Sequence, residues 1–122
     1  LIDMGCYEVS LSDTIGAATP ESTARMVEAV LERIPVDRLG AHFHDTRGRA
    51  LENIETALSY GLRAFDAAVA GLGGCPYAPG AAGNVPTEAV VALMQEKDLA
   101  TGIDAAKLAK AADFARALRR PE

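Results

Sequence analysis

His42 and His44 are the only histidines of this 122-residue chain, and they stand two positions apart in the run Leu39-Gly40-Ala41-His42-Phe43-His44. Residues i and i+2 of a β-strand point to the same side, so both imidazoles leave one face. Two imidazoles at the C-terminal end of a strand can share one divalent ion. The plainer alternative is a pair of polar side chains capping water at a strand end. The polar loop that follows, opening with Asp45, favours the metal.

The segment Gly71-Leu72-Gly73-Gly74-Cys75-Pro76-Tyr77-Ala78-Pro79-Gly80-Ala81-Ala82-Gly83-Asn84 carries the second set of candidates. Long connections without regular structure are usually functional. This one presents a single thiol, Cys75, near its middle. A thiol on a loop that closes over a site can deliver a proton; otherwise Cys75 is incidental to a surface loop. Asn84 ends the segment, and its amide oxygen suits a hard cation.

Asp13 closes the first strand-like run. It can ligate, orient a ligand or act as a base, but Asp in an Asp-Thr turn commonly bonds its own backbone. Strict alternation from Val9 and Leu11 also sends its side chain toward the helices, unless the strand bulges. Glu88, early in a helix, is favoured there by the helix dipole alone. Arg47 and Arg49 flank Gly48 and can meet an anionic substrate or simply be solvated. Asp66 sits inside a strand as a hydrogen-bond partner, and Cys6 reads as a small buried apolar group. No GxGxxG or GxxxxGK[ST] phosphate loop occurs.

These residues need elements to hold them. Strand-like runs are expected at Tyr7–Leu11, Leu39–His44 and Ala64–Val69. Between them lie helical patterns. Thr19-Pro20 opens the first, with Met26, Val27, Val30, Leu31 and Ile34 inward. The second runs from Ala50 to Tyr60, carries Leu51, Ile54 and Leu58 on one face and stops at Gly61. A third starts near Thr87 with Val90, Val91 and Met94 inward. A fourth is capped by Asp104, with Leu108, Ala111, Phe114, Ala115 and Leu118 as its stripe. Strands alternating with helices indicate βαβ units and a parallel sheet. Three parallel strands covered on one face leave open edges and a polar second face, which favours three βα units of an eight-stranded (β/α)8 TIM barrel, plus a C-terminal helix, within one domain over 1–122. A small open sheet is the competing architecture.

Composition narrows the partners. With 12 Lys+Arg against 17 Asp+Glu, the formal charge is −5, which removes the attraction that dominates nucleic-acid and anionic-membrane binding. No run of about 18 apolar residues suggests a membrane span. Leu1-Ile2-Asp3-Met4 does not begin a signal peptide, and the first residue, not Met, suggests a piece of something longer. Two distant cysteines fit a cytoplasmic protein better than a disulfide framework.

Three stretches together, Ser10-Leu11-Ser12-Asp13-Thr14-Ile15-Gly16, His42-Phe43-His44-Asp45-Thr46 and Val69 to Tyr77, resemble the 3-hydroxy-3-methylglutaryl-CoA lyases in order and spacing. The glycine–cysteine run is the specific part; His-x-His-Asp is shared with metal-dependent Claisen condensing enzymes. The resemblance implies a TIM barrel with Mg²⁺ or Mn²⁺ that cleaves an acyl-CoA substrate to acetoacetate and acetyl-CoA, as a dimer or higher homo-oligomer. It implies His42, His44 and Asn84 as metal ligands, and Cys75, Asp13 and Glu88 as catalytic groups. The family's Arg-Asp pair on its first strand has no counterpart here, so the chain alone is expected to be inactive. Two other readings stay open: a condensing enzyme acting on a 2-oxo acid, and a non-catalytic βα piece pairing through its open strand edges.

Overall fold

The computed structural model describes residues 1–73 and 83–118. Three parallel strands lie in the order β1 (Val9–Asp13), β2 (Leu39–Phe43), β3 (Ala64–Asp66). Helix α1 (Pro20–Leu31) joins β1 to β2, and α2 (Ala50–Ser59) joins β2 to β3. Two further helices, α3 (Thr87–Glu96) and α4 (Ala105–Leu118), follow. This α/β arrangement is the expected run of parallel βα units with an extra C-terminal helix. Among the described residues, no helix is long and apolar enough to cross a membrane.

Local chemistry explains the helix ends. Thr19 Oγ1 accepts from the Ser22 amide, Ser22 Oγ accepts from the Thr19 amide, and Pro20 fills the first helical position. The Thr19 hydroxyl and its own backbone amide hold the Glu21 carboxyl below its usual range. Gly61 follows α2 with φ 95, a conformation that costs a side-chain-bearing residue dearly. At α4, Asp104 Oδ1 accepts from the Ala106 and Lys107 amides at 3.0 Å each.

One face of the sheet makes the core. Leu39, Ala41 and Phe43 of β2 are buried against Val27 of α1, Ile54 and Ala57 of α2, and Val90 and Met94 of α3. The α1–α2 contact is tied at its rim by the Tyr60 hydroxyl, which donates to Glu28 at 2.5 Å; that bond raises the phenol's pKa. The opposite face carries Ser10, Ser12, His42 and Asp66, and no described helix covers it.

The structure moves several expected boundaries. β1 begins at Val9 and runs to Asp13, because Arg38 holds the Cys6 and Tyr7 carbonyls by side-chain hydrogen bonds instead of a strand ladder. β3 stops at Asp66, and the chain turns through a 3-10 segment, Val69–Gly71. The buried stripe of α2 is Ala50, Asn53, Ile54 and Ala57; Leu51 lies beside it and is 36% exposed. In α4 the small residues Ala112 and Ala115 face inward, and Phe114 and Leu118 are 69% and 66% exposed. Alanine lets α4 approach closely, and Phe114, next to Ala115, falls on the outside.

The loops after β1 and β2 touch through a glycine. A Cβ at Gly16, where φ is 66, would stand 2.6 Å from the Thr46 side chain. Gly48 has nearly the same φ, 68, with open space around it. Gly48→Ala should therefore cost about 1 kcal/mol from backbone strain alone. Gly16→Ala should cost about 2–4 kcal/mol, because the two loops must also part. Denaturant unfolding of the two variants checks the ranking; equal losses would mean that the loop contact is yielding.

Candidate metal centre

The open face of the sheet gathers the histidines. Strand register sets Ser12 opposite His42 and His42 opposite Asp66. One residue beyond β2, His44 pairs with Asn84 in an isolated antiparallel bridge, and the Asp45 amide beside it donates to the Gly83 carbonyl at 2.8 Å. Directly opposed residues of such a pair put their side chains on the same side. The two imidazoles meet edge to face, centroids 4.8 Å apart at 80°. His42, His44 and Asn84, expected together from the sequence, are thus brought together.

The bonds around these side chains leave metal-binding atoms free. His44 Nδ1 lies 2.9 Å from the Asp13 carbonyl oxygen. A carbonyl only accepts, so Nδ1 carries the hydrogen and Nε2 keeps its lone pair. The Asn84 amide donates through Nδ2 to the Leu72 carbonyl at 2.9 Å, and among the described residues Oδ1 has no hydrogen bond of its own. A backbone carbonyl holding the remote nitrogen of a ligating imidazole is the usual support of a metal-binding histidine. Two imidazole nitrogens and an amide oxygen therefore fit a hard or borderline divalent ion. Among the described residues no three His, Cys, Asp or Glu side chains form a metal-holding group; the third donor here is an amide.

Backbone shape positions Asn84. A Cβ on Gly71 (φ 60) would fall 2.9 Å from the Asn84 carbonyl, and one on Gly73 (φ 94) would fall 2.9 Å from Asn84 Nδ2. Only glycine allows the strand-to-loop turn to wrap this residue so closely. Val85, just after it, is buried, and the Ala68 amide donates to the Val85 carbonyl at 3.1 Å. The segment thereby bridges the ends of β2 and β3.

The acidic candidates take supporting positions. The Asp13 carboxylate accepts from the Ala17 and Ala18 amides, both at 3.0 Å, and so shapes the loop into α1. It follows the alternation of Val9 and Leu11 to the helix side, and only its carbonyl reaches toward the histidines. Asp45 Oδ1 accepts from the Ala50 amide and sets the start of α2. Glu88 accepts from the Ala70 amide through Oε2 and pairs with Arg116 through Oε1, at 2.9 and 3.0 Å. Ala70 is a non-glycine residue at φ 54, so Glu88 braces a strained turn at the foot of the glycine-rich segment. Arg116 had no signal in the sequence, since it meets Glu88 from a different helix. Arg47 and Arg49 are exposed. Cys75 lies outside the described residues.

The histidines and Asn84 do not line the main grooves of the described residues. One of about 330 Å³ is lined by Glu55, Leu58 and Lys97. Another, of about 540 Å³, runs along β3 and α3 past Phe65, Val91 and Ile103. The histidines instead stand on an open sheet face, where polarity and pinned donor atoms, not concavity, identify the centre.

Known proteins resemble the chain along most of its length. A family described as HMGL-like matches residues 1–115. The mitochondrial hydroxymethylglutaryl-CoA lyase of Arabidopsis thaliana is 52% identical over 99% of the chain. A Pseudomonas aeruginosa protein named 3-hydroxy-3-isohexenylglutaryl-CoA/hydroxy-methylglutaryl-CoA lyase is 55% identical over 85% of it. The crystal structure of the HMG-CoA lyase from Brucella melitensis superposes on 98% of the chain with a TM-score of 0.96 and 53% identity. The chain spans only 26% and 35% of the first two relatives and 42% of the third.

If Asp13 serves through the loop it shapes, its variants should show that in stability. Asp13→Ala strands two part-buried amides and should cost about 2–3 kcal/mol. Asp13→Asn keeps one acceptor oxygen and should cost about half of that. Thermal unfolding of both variants decides this; an unaffected Asp13→Ala would mean the carboxylate is dispensable to the loop.

Proposed function

The chain belongs to the HMGL-like family, and from that premise we propose that the complete protein is a metal-dependent carbon–carbon lyase that cleaves 3-hydroxy-3-methylglutaryl-CoA into acetoacetate and acetyl-CoA. The observation that carries the reading is the pinning of His44 Nδ1 by the Asp13 carbonyl and of Asn84 Nδ2 by the Leu72 carbonyl. Both bonds spend the nitrogen that carries hydrogen and spare the atom that can bind an ion. The relatives' names, each a lyase of a glutaryl-CoA bearing a hydroxyl and a hydrocarbon branch, support the substrate class.

His42, His44 and Asn84 would hold Mg²⁺ or Mn²⁺, which when bound polarises the substrate's tertiary hydroxyl and lowers its pKa. The chain's own part is positional and protonic. Loss of the hydroxyl proton to a base turns that carbon into the ketone of acetoacetate. The C2–C3 bond breaks, and its electron pair passes into the enolate of acetyl-CoA. The Cys75 thiol returns a proton to the enolate carbon, which balances the proton removed at the start. The glycine-rich segment that bears Cys75 is a lid in this reading, and it keeps water from the enolate. Asp13 and Glu88 act as positioning residues, the first by aligning His44 and the second by bracing Ala70. The reading carries with it a homo-oligomeric, cytoplasmic protein with an acyl-CoA substrate.

Thioester cleavage by the complete protein, with Mg²⁺ or Mn²⁺ and with a chelator, tests the proposal. Chelation should abolish turnover, and either ion should restore it. Cys75→Ser should lower kcat by about 10²–10⁴-fold while leaving the metal titration unchanged. His42→Ala and His44→Ala should each lose the ion. Absence of cleavage with either metal would overturn the reading, and loss of metal in Cys75→Ser would make the thiol a ligand instead of an acid.

A further inference from the structure

Asp66 lies on the same open face as His42 but has no part in the centre as described so far. Its Oδ2 stands 3.6 Å from His42 Nδ1 and accepts from the Ser10 hydroxyl at 3.2 Å. Ser10 belongs to β1 and Asp66 to β3, so the contact crosses the whole of β2. Ser10 is paired with Gly40, and Gly40 with Ala64. A Cβ at Gly40 would stand 3.2 Å from Glu8 Oε1 and 3.4 Å from the Ala64 methyl, so the Glu8 carboxylate already lies over that position.

Stability does not account for this Asp. Aspartate is disfavoured inside strands, and its side chain is 64% exposed, where an ion pair contributes little. Position does account for it. His44 takes its orientation from a backbone carbonyl at 2.9 Å; His42 has a carboxylate oxygen 3.6 Å from the corresponding nitrogen, near but outside hydrogen-bond length. We propose that Asp66 is a positioning residue for His42: it holds the Nδ1–H tautomer and turns Nε2 toward the ion, with Ser10 fixing the carboxylate. The inference rests on the metal-centre reading given above and adds a carboxylate–imidazole pair to it.

Mn²⁺ titration of the complete protein, followed by electron paramagnetic resonance, tests this apart from turnover. Asp66→Ala should weaken Mn²⁺ binding about 10–100-fold. Asp66→Asn keeps the shape and one acceptor, and should fall between Asp66→Ala and the parent. Nitrogen NMR of the metal-free protein should show His42 as the Nδ1–H tautomer in the parent and as a tautomer mixture in Asp66→Ala, a change that a merely structural residue would not produce. The proposal fails if both Asp66 variants bind Mn²⁺ within about twofold of the parent, or if the His42 tautomer is unchanged in Asp66→Ala. His42→Ala separates the two levels. If it loses Mn²⁺ while the Asp66 variants keep it, positioning alone is wrong; if it keeps Mn²⁺, the metal centre itself is wrong and the inference goes with it.

Discussion

The two-residue alternation of β2 is the constraint from which the rest follows. Leu39, Ala41 and Phe43 go to the helices and are almost fully buried; Gly40 and His42 go to the other side. A slip of one residue would bury the imidazole and expose Phe43, so the hydrophobic core fixes the chemistry's address. Core and site are therefore two readings of one register. The strand that packs most tightly is also the one that presents the histidines, which gives them a rigid base.

Close backbone approach is the second requirement, and it is met by glycine and by carboxylates. Gly16 lets the loops after β1 and β2 interlock, while Gly71 and Gly73 let the chain fold around Asn84. Ala70 takes a left-handed conformation without being glycine. Its amide is held by Glu88, which is held in turn by Arg116 from α4. The last helix thus bears on the turn that leads into the glycine-rich segment, although it stands far from the histidines in sequence.

The βα order, the histidine face, the Thr19-Pro20 start of α1 and the Asp104 cap of α4 were legible because each depends on neighbours in sequence. The conflict over Asp13 was legible too: alternation from Val9 and Leu11 pointed its side chain to the helices, and it lies there, holding two amides. Other features depend on long-range geometry. The pairing of His44 with Asn84 joins residues forty apart and has no local pattern. Neither does the Ser10–Asp66 contact across a bare glycine. The outward turn of Phe114 and Leu118 was missed because hydrophobicity ranks them above alanine, whereas α4 packs by closeness, and closeness selects Ala112 and Ala115.

The distribution of charge gives these choices a common sense. Asp13, Asp45 and Glu88 each accept from backbone amides, and Glu88 also pairs with Arg116. The candidate donors among the described residues are two imidazoles and an amide oxygen. As proposed, Asp66 differs: set behind His42, it orients a ligand without itself becoming one.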